Sequence, residues 1–132
     1  MAREILPPQK IYVKESTIPQ SGRGVFAKDR IANGEIVEVA PIIVLDFSDF
    51  IETRWNLMFE YYYWLDEYVV LALGYGSLYN HSTNPNCDYI IDRERRRITY
   101  TAIRNITQDE EILLNYRGSS GSSAPLWFER DK

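Results

Sequence analysis

The sequence predicts a mostly β fold of several small sheets with short helices. Short apolar runs rich in Val, Ile and Tyr recur between Gly, Pro and Asn, the pattern of brief strands joined by turns. Stretches with a helical period are few, so sheets must carry most of the architecture. At 132 residues with 45% hydrophobic side chains, the chain is one domain with a sizeable core and is too short for two.

Residues 1–10 read as a flexible arm, because Pro7-Pro8 bars helix there. Residues 11–14 follow as a strand, Ser21-Gly22-Arg23-Gly24 as a turn, and residues 25–28 as a second strand. Asn33-Gly34 is a tight-turn signal, since both residue types tolerate positive φ. The runs 36–40 and 42–45 are β-branched and should be split by Pro41, which cannot donate to a ladder. Ser48 is a candidate N-cap for a short amphipathic helix reaching about residue 57. Runs 59–65 and 69–73 are then strands, 87–92 and 98–103 form a hairpin, and 112–115 is the last strand. The tail 119–125 is flexible by composition, yet it leads into Leu126-Trp127-Phe128, an apolar triplet expected to dock. The expected division is an arm at 1–10, a folded domain at 11–117 and a C-terminal segment at 118–132.

Composition removes several classes. A net charge of −4 disfavours a duplex-binding module, whose footprint should be basic. The one basic run, RERRR at 93–97, falls at a hairpin turn and is most simply a solvated loop. An acidic body suits a cationic partner such as a lysine-bearing tail. No apolar run approaches the roughly 20 residues that span a bilayer, and the N-terminus lacks a secretory apolar core. The single cysteine, Cys87, excludes an internal disulfide and a cysteine-based zinc cluster, so no metal site is expected. An intracellular, reducing setting is expected, cytoplasmic or nuclear. His81 is the only histidine, and with Cys87 six residues away there is no base-and-orienter arrangement for a cysteine hydrolase.

Two segments stand apart. YNHSTNPN at 79–86 is rich in polar turn formers and follows Gly74-Tyr75-Gly76 directly, so it reads as a loop that presents backbone groups to a ligand rather than as core. EEILLNY at 110–116 is a strand-like run that ends on a phenol, Tyr116. Together with Gly22-Arg23-Gly24 and the Val-Phe-Ala after it, these motifs resemble, in order, the signatures of the SET-domain protein-lysine methyltransferases, over about residues 11–116. Asn80, His81, Ser82, Pro85 and Asn86 match the family's Asn-His-Ser-x-x-Pro-Asn motif; Glu110, Glu111, Ile112 and Tyr116 match its Glu-Glu-Leu…Tyr motif. Asp109 stands where a glycine is customary, and Asn115 where Asp is common.

The resemblance implies a SET-domain fold with a C-terminal pseudoknot, of the minimal viral and bacterial type. It implies S-adenosylmethionine as methyl donor and a lysine of a histone tail or other basic protein as acceptor. Gly22, Arg23, Gly24, Asn80, His81, Tyr116 and Trp127 would bind the cofactor, and Tyr116 would stand beside the reacting methyl. Tyr89 matches the position that limits how many methyl groups fit. Strand parity and the resemblance together place Tyr61 or Tyr63 on the lysine channel, and Tyr61 joins Tyr116 and Tyr89 in the expected catalytic set. Ten tyrosines agree with a channel that must face a cation, stay neutral and offer hydrogen bonds. A homodimer is a further expectation, and a non-catalytic SET module is the rival to the enzyme.

Overall fold

The structure is a computed structural model, describing residues 4–50 and 61–116. Among the described residues nine strands form two sheets. The first contains β1 (Ile11–Glu15), β2 (Arg23–Ala27), β9 (Glu111–Leu114) and β6 (Asn80–His81), in the order β1-β2-β9-β6. The second contains β4 (Tyr62–Leu65), β5 (Tyr68–Ala72), β3 (Ile36–Asp46), β8 (Arg97–Ala102) and β7 (Cys87–Asp92), in the order β4-β5-β3-β8-β7. All neighbours are antiparallel except β6 and β9, which run parallel with Asn80 opposite Leu113. Val25, Ala27, Ile112 and Leu114 from the first sheet join Ala40, Ile98 and Tyr100 from the second in one buried core. The Val, Ile and Leu side chains among them each contribute about 1.5–3 kcal/mol by leaving water.

The strand expectations hold with informative differences. Residues 36–46 form one strand of 11 residues, not two runs split by Pro41. The ladder with β8 ends at Pro41 opposite Arg97, and the ladder with β5 begins at Ile42 opposite Ala72. Pro41 sits at the changeover, where a missing N–H costs least. Its carbonyl still accepts the Leu73 N–H at 2.9 Å. Asn33-Gly34 is a turn as expected, with Gly34 at φ 89°, but the segments beside it pair elsewhere: Ile31 bridges to Ile106, and Ile36 lies opposite Thr101. Arg23 and Gly24 lie inside β2; the bend precedes them, closed by the Ser16 N–H on the Gly22 carbonyl at 2.8 Å, with Gly22 at φ 70°.

A 3-10 turn, Phe47–Phe50, occupies the start of the expected helix, and it opens on Asp46, whose carboxylate accepts from the Ser48 N–H and hydroxyl. The rest of that helix, and the strand expectation at 59–60, lie outside the described residues. The 93–97 run is the hairpin turn between β7 and β8, with Arg93 over the Tyr68 ring at 4.3 Å and Arg95 paired to Asp92 at 2.9 Å.

The segment 79–86 departs most from expectation. Tyr79, Pro85 and Asn86 are buried, so much of this polar stretch is core. Residues 82–86 arch over β9 and are laced to it: Ser82 N–H to Leu114 O at 2.8 Å, Leu113 N–H to Asn86 Oδ1 at 2.8 Å, and Asn86 Nδ2 to Glu111 O at 2.8 Å. The last strand thus runs between β2 and β6, with residues 82–86 bonded along it.

Candidate active site

The site forms where the bend before β2, the strand β6 and the end of β9 meet. Glu111 is its hub, only 6% exposed. One oxygen accepts from the Thr17 hydroxyl (2.7 Å) and the Thr17 N–H (3.1 Å); the other accepts from the Ser16 hydroxyl (2.8 Å) and Asn80 Nδ2 (3.0 Å). Burial alone would raise its pKa, but the donors on Asn80, Thr17 and Ser16 outweigh it and hold the carboxyl below its usual range. Gly24 lies flush against this cluster. A Cβ there would come 2.3 Å from Glu111 Oε2 and 3.0 Å from Asn80 Nδ2, so close approach rather than unusual φ requires this glycine.

Asn80 spends its amide nitrogen on Glu111 and on the Arg23 carbonyl, also at 3.0 Å. Its remaining side-chain capacity is therefore an acceptor. His81 pairs opposite Leu114 in the β6–β9 ladder, and its Nδ1 accepts the Tyr116 N–H at 3.0 Å. A nitrogen that accepts carries no proton, which places the imidazole hydrogen of the neutral ring on Nε2. The two rings lie 5.1 Å apart. Tyr116 is half-buried, and its hydroxyl donates to the Tyr79 carbonyl at 2.5 Å. Burial first, then the neighbouring Tyr89, Tyr61 and Glu111, pushes its pKa well above the usual phenol value.

Tyr89, on β7, donates from its hydroxyl to the Tyr116 carbonyl at 3.2 Å, and burial followed by Asp88 pushes its pKa up to about 12. Its ring meets the Tyr63 ring edge-on at 5.0 Å. The choice between Tyr61 and Tyr63 is now physical. Tyr63 is a core residue whose hydroxyl donates to the Gly76 carbonyl at 2.6 Å and lies 3.0 Å from the Tyr100 hydroxyl. Tyr61 is 40% exposed and close enough to Tyr116 to affect its titration, which suits a channel mouth.

Gly22, Arg23, Gly24, Asn80, His81 and Tyr116 thus gather at one meeting of strands, with Tyr89 and Tyr61 beside Tyr116. Trp127 lies outside the described residues. Ser16 and Thr17 are additional members that motif reading missed, Tyr79 of the 79–86 segment adds its carbonyl, and Glu38 supports Tyr79 from β3 by accepting its hydroxyl at 2.7 Å. Glu38 had a signal: a lone acid inside the β-branched run Ile36-Val37-Glu38-Val39-Ala40 should have marked a buried partner.

The comparisons agree with this architecture. A family model described as SET domain matches residues 22–117. The Schizosaccharomyces pombe histone-lysine N-methyltransferase specific for H3 lysine-37 is 31% identical over 112 residues, covering 83% of this chain and 72% of that protein. A Plasmodium falciparum protein described as a candidate histone methyltransferase has a solved structure that superposes with a TM-score of 0.66. It is 33% identical, and the match covers 83% of this chain and 99% of that one. Chaetomium thermophilum Polycomb Repressive Complex 2, solved in an autoinhibited conformation bound to S-adenosylmethionine, superposes with a TM-score of 0.63 at 22% identity, over 84% of this chain and 16% of that one, a likeness of fold alone. This chain belongs to the SET-domain family. Its enzyme class is protein-lysine N-methyltransferase.

Proposed function

We propose that the protein methylates the ε-amine of lysine in a basic protein such as a histone tail, with S-adenosylmethionine as donor. The observation that carries this reading is the seat of Tyr116: a neutral phenol at the end of a strand, aimed by the Tyr79 carbonyl, with Asn80, His81 and Gly24 close by. When bound, the cofactor supplies a methyl group on a sulfonium. Gly24 fits such a role by letting Asn80 and Glu111 pack directly on the β2 backbone, which holds the Asn80 amide with its oxygen left to accept. Gly22, Arg23, Gly24, Asn80 and His81 would hold it, with Trp127 as a further contact. The Asn80 acceptor and the backbone carbonyls suit its ammonium.

The chain's own residues do the remaining work. With its pKa raised, Tyr116 stays neutral and serves as a hydrogen-bonding group rather than a base. Tyr61 and Tyr89 wall the channel and withhold water, which depresses the pKa of an entering lysine and frees its lone pair. Holding that nitrogen about 3 Å from the methyl supplies much of the barrier reduction. Tyr89 limits the number of methyl groups, and its hydroxyl, already donating to Tyr116 O, retains capacity to accept from the amine. The net charge of −4 favours a cationic substrate, and an intracellular compartment, cytoplasmic or nuclear, follows from such a substrate. Among the described residues no helix is long and apolar enough to cross a membrane.

The test combines calorimetry with S-adenosylmethionine and turnover on core histones. The native chain should bind the cofactor, and Tyr116→Phe should cut methyl transfer by one to three orders of magnitude, roughly 1.4–4 kcal/mol of barrier. No cofactor binding by the native chain, or full turnover by the variant, overturns the reading.

A further inference from the structure

Glu38 is a carboxylate 3% exposed in β3, away from the cofactor corner. Its Oε1 accepts the Tyr79 hydroxyl at 2.7 Å, and its Oε2 accepts the Tyr75 N–H at 3.0 Å. Gly74, at φ 59°, gives it room, because a Cβ there would lie 2.6 Å from Oε2. Tyr79 is fully enclosed and stacks on Tyr100 with ring centroids 4.5 Å apart. The same residue's backbone carbonyl receives the Tyr116 hydroxyl. One side chain is therefore clamped at its tip by Glu38 while its backbone aims the active-site phenol. The titratable groups that sense Glu38 are Tyr79 and, on β7 and β8, Cys87 and Tyr100, all neutral acids. Among the described residues Glu38 takes part in no ion pair, and burying an unpaired carboxylate costs stability rather than adding it. What it does supply is two directional acceptors, for Tyr79 and for the Gly74-Tyr75-Gly76 turn.

We propose that Glu38 is a positioning residue for methyl transfer, fixing through Tyr79 the carbonyl oxygen that aims the Tyr116 hydroxyl. The inference rests on the placement of Tyr116 beside the transferring methyl. Glutamine can replace the acid in kind: its oxygen accepts from Tyr75, and its amide donates to the Tyr79 oxygen once that hydroxyl turns. Leucine keeps volume and removes both acceptors. Tyr79→Phe keeps the ring, the stack and the carbonyl and removes only the clamp.

The experiment uses the full chain, S-adenosylmethionine and core histones, with tyrosine labelled at Cζ with carbon-13 for NMR. The Tyr116 signal is assigned by its loss in Tyr116→Phe. Tyr79→Phe and Glu38→Leu should both move that signal and lower kcat about tenfold or more, the scale of a small misplacement of a reacting group. KM for cofactor and histone should stay near native, and Glu38→Gln should recover both rate and signal. Neither substitution should slow Tyr116→Phe further, since the aimed hydroxyl is already gone. If Glu38→Leu does not fold, Tyr79→Phe carries the test. An unmoved Tyr116 signal with native kcat in folded Tyr79→Phe overturns the proposal. If Tyr116→Phe is slow while the other variants are fast, only the positioning role falls. A native rate in Tyr116→Phe overturns both readings.

Discussion

Replacing Asn86 with alanine should unlace the site from below. The Asn86 side chain is wholly enclosed and closes three hydrogen bonds: Nδ2 to Glu111 O at 2.8 Å, Nδ2 to Glu110 Oε2 at 3.2 Å, and the Leu113 N–H to Oδ1 at 2.8 Å. Truncation leaves the Leu113 N–H and the Glu111 carbonyl without partners in the interior. At about 1–3 kcal/mol for each stranded group, the loss is roughly 2–6 kcal/mol. That is a large fraction of the 5–15 kcal/mol typical of a whole domain. Urea denaturation followed by circular dichroism measures it, with the native slope on denaturant as a check that the unfolded states are comparable. Asn86→Asp is the informative control. It keeps the bond from Leu113 but sets a carboxylate against the Glu111 carbonyl and the Glu110 carboxylate. The new acid's pKa would be raised in the fold, so its contribution is favourable below the ordinary carboxylate range and is lost as pH rises through the folded value. It should therefore be at least as damaging as alanine at pH 7 and should recover toward about pH 4. A loss under about 1 kcal/mol for Asn86→Ala, against that 1–3 kcal/mol expectation, would refute the claim that this amide holds the arch on β9.

Three further outcomes are expected. Gly24→Ala should lower stability by about 1–3 kcal/mol through overpacking against Glu111 and weaken cofactor binding, and calorimetry showing native affinity would remove Gly24 from the cofactor corner. Tyr89→Phe should shift product from monomethyl toward di- and trimethyl-lysine, read by mass spectrometry of the modified histone; abundant trimethyl product from the native enzyme would sink that gate. The two buried carboxylates should pull the pH dependence of melting in opposite directions. Glu111, with its pKa lowered, stabilises above the ordinary carboxylate value and loses this as pH falls through its folded value. Glu38, raised by burial against the bonds from Tyr75 and Tyr79, contributes below that value and loses this as pH rises through its folded value. Glu38→Gln should then flatten the decline of melting temperature above about pH 4.3, and Glu111→Gln should flatten the loss below it. A Glu38→Gln curve parallel to native would contradict the Glu38 half.

What the sequence determined by itself is local in origin. Alternation and turn residues place the strands because a strand's pleat and a turn's φ are properties of a few consecutive residues. The Asn33-Gly34 turn and the solvated 93–97 hairpin follow this rule. So does Asp109, standing where a glycine is customary: it sits at φ 65°, a conformation that glycine adopts freely and Asp tolerates. The motif residues were also legible as a set, since their order along the chain is itself the signal. Partners were not legible. Pro41 lies in a continuous strand because neighbouring strands change there, and the sequence of β3 does not say who its neighbours are. Residues 79–86 looked too polar for the interior because polarity was judged without their partners. The Leu113 N–H and the Glu111 carbonyl make Asn86 a core residue, and they come from more than twenty positions away. Tyr61 and Tyr63 share strand parity, so only packing against Tyr100 and Gly76 separates the core Tyr63 from the more exposed Tyr61. Glu38 becomes a member of the site solely through Tyr79, 41 residues later. A hydrogen bond's energy depends on what faces it across the fold, and in a mostly β chain those facing groups are distant in sequence.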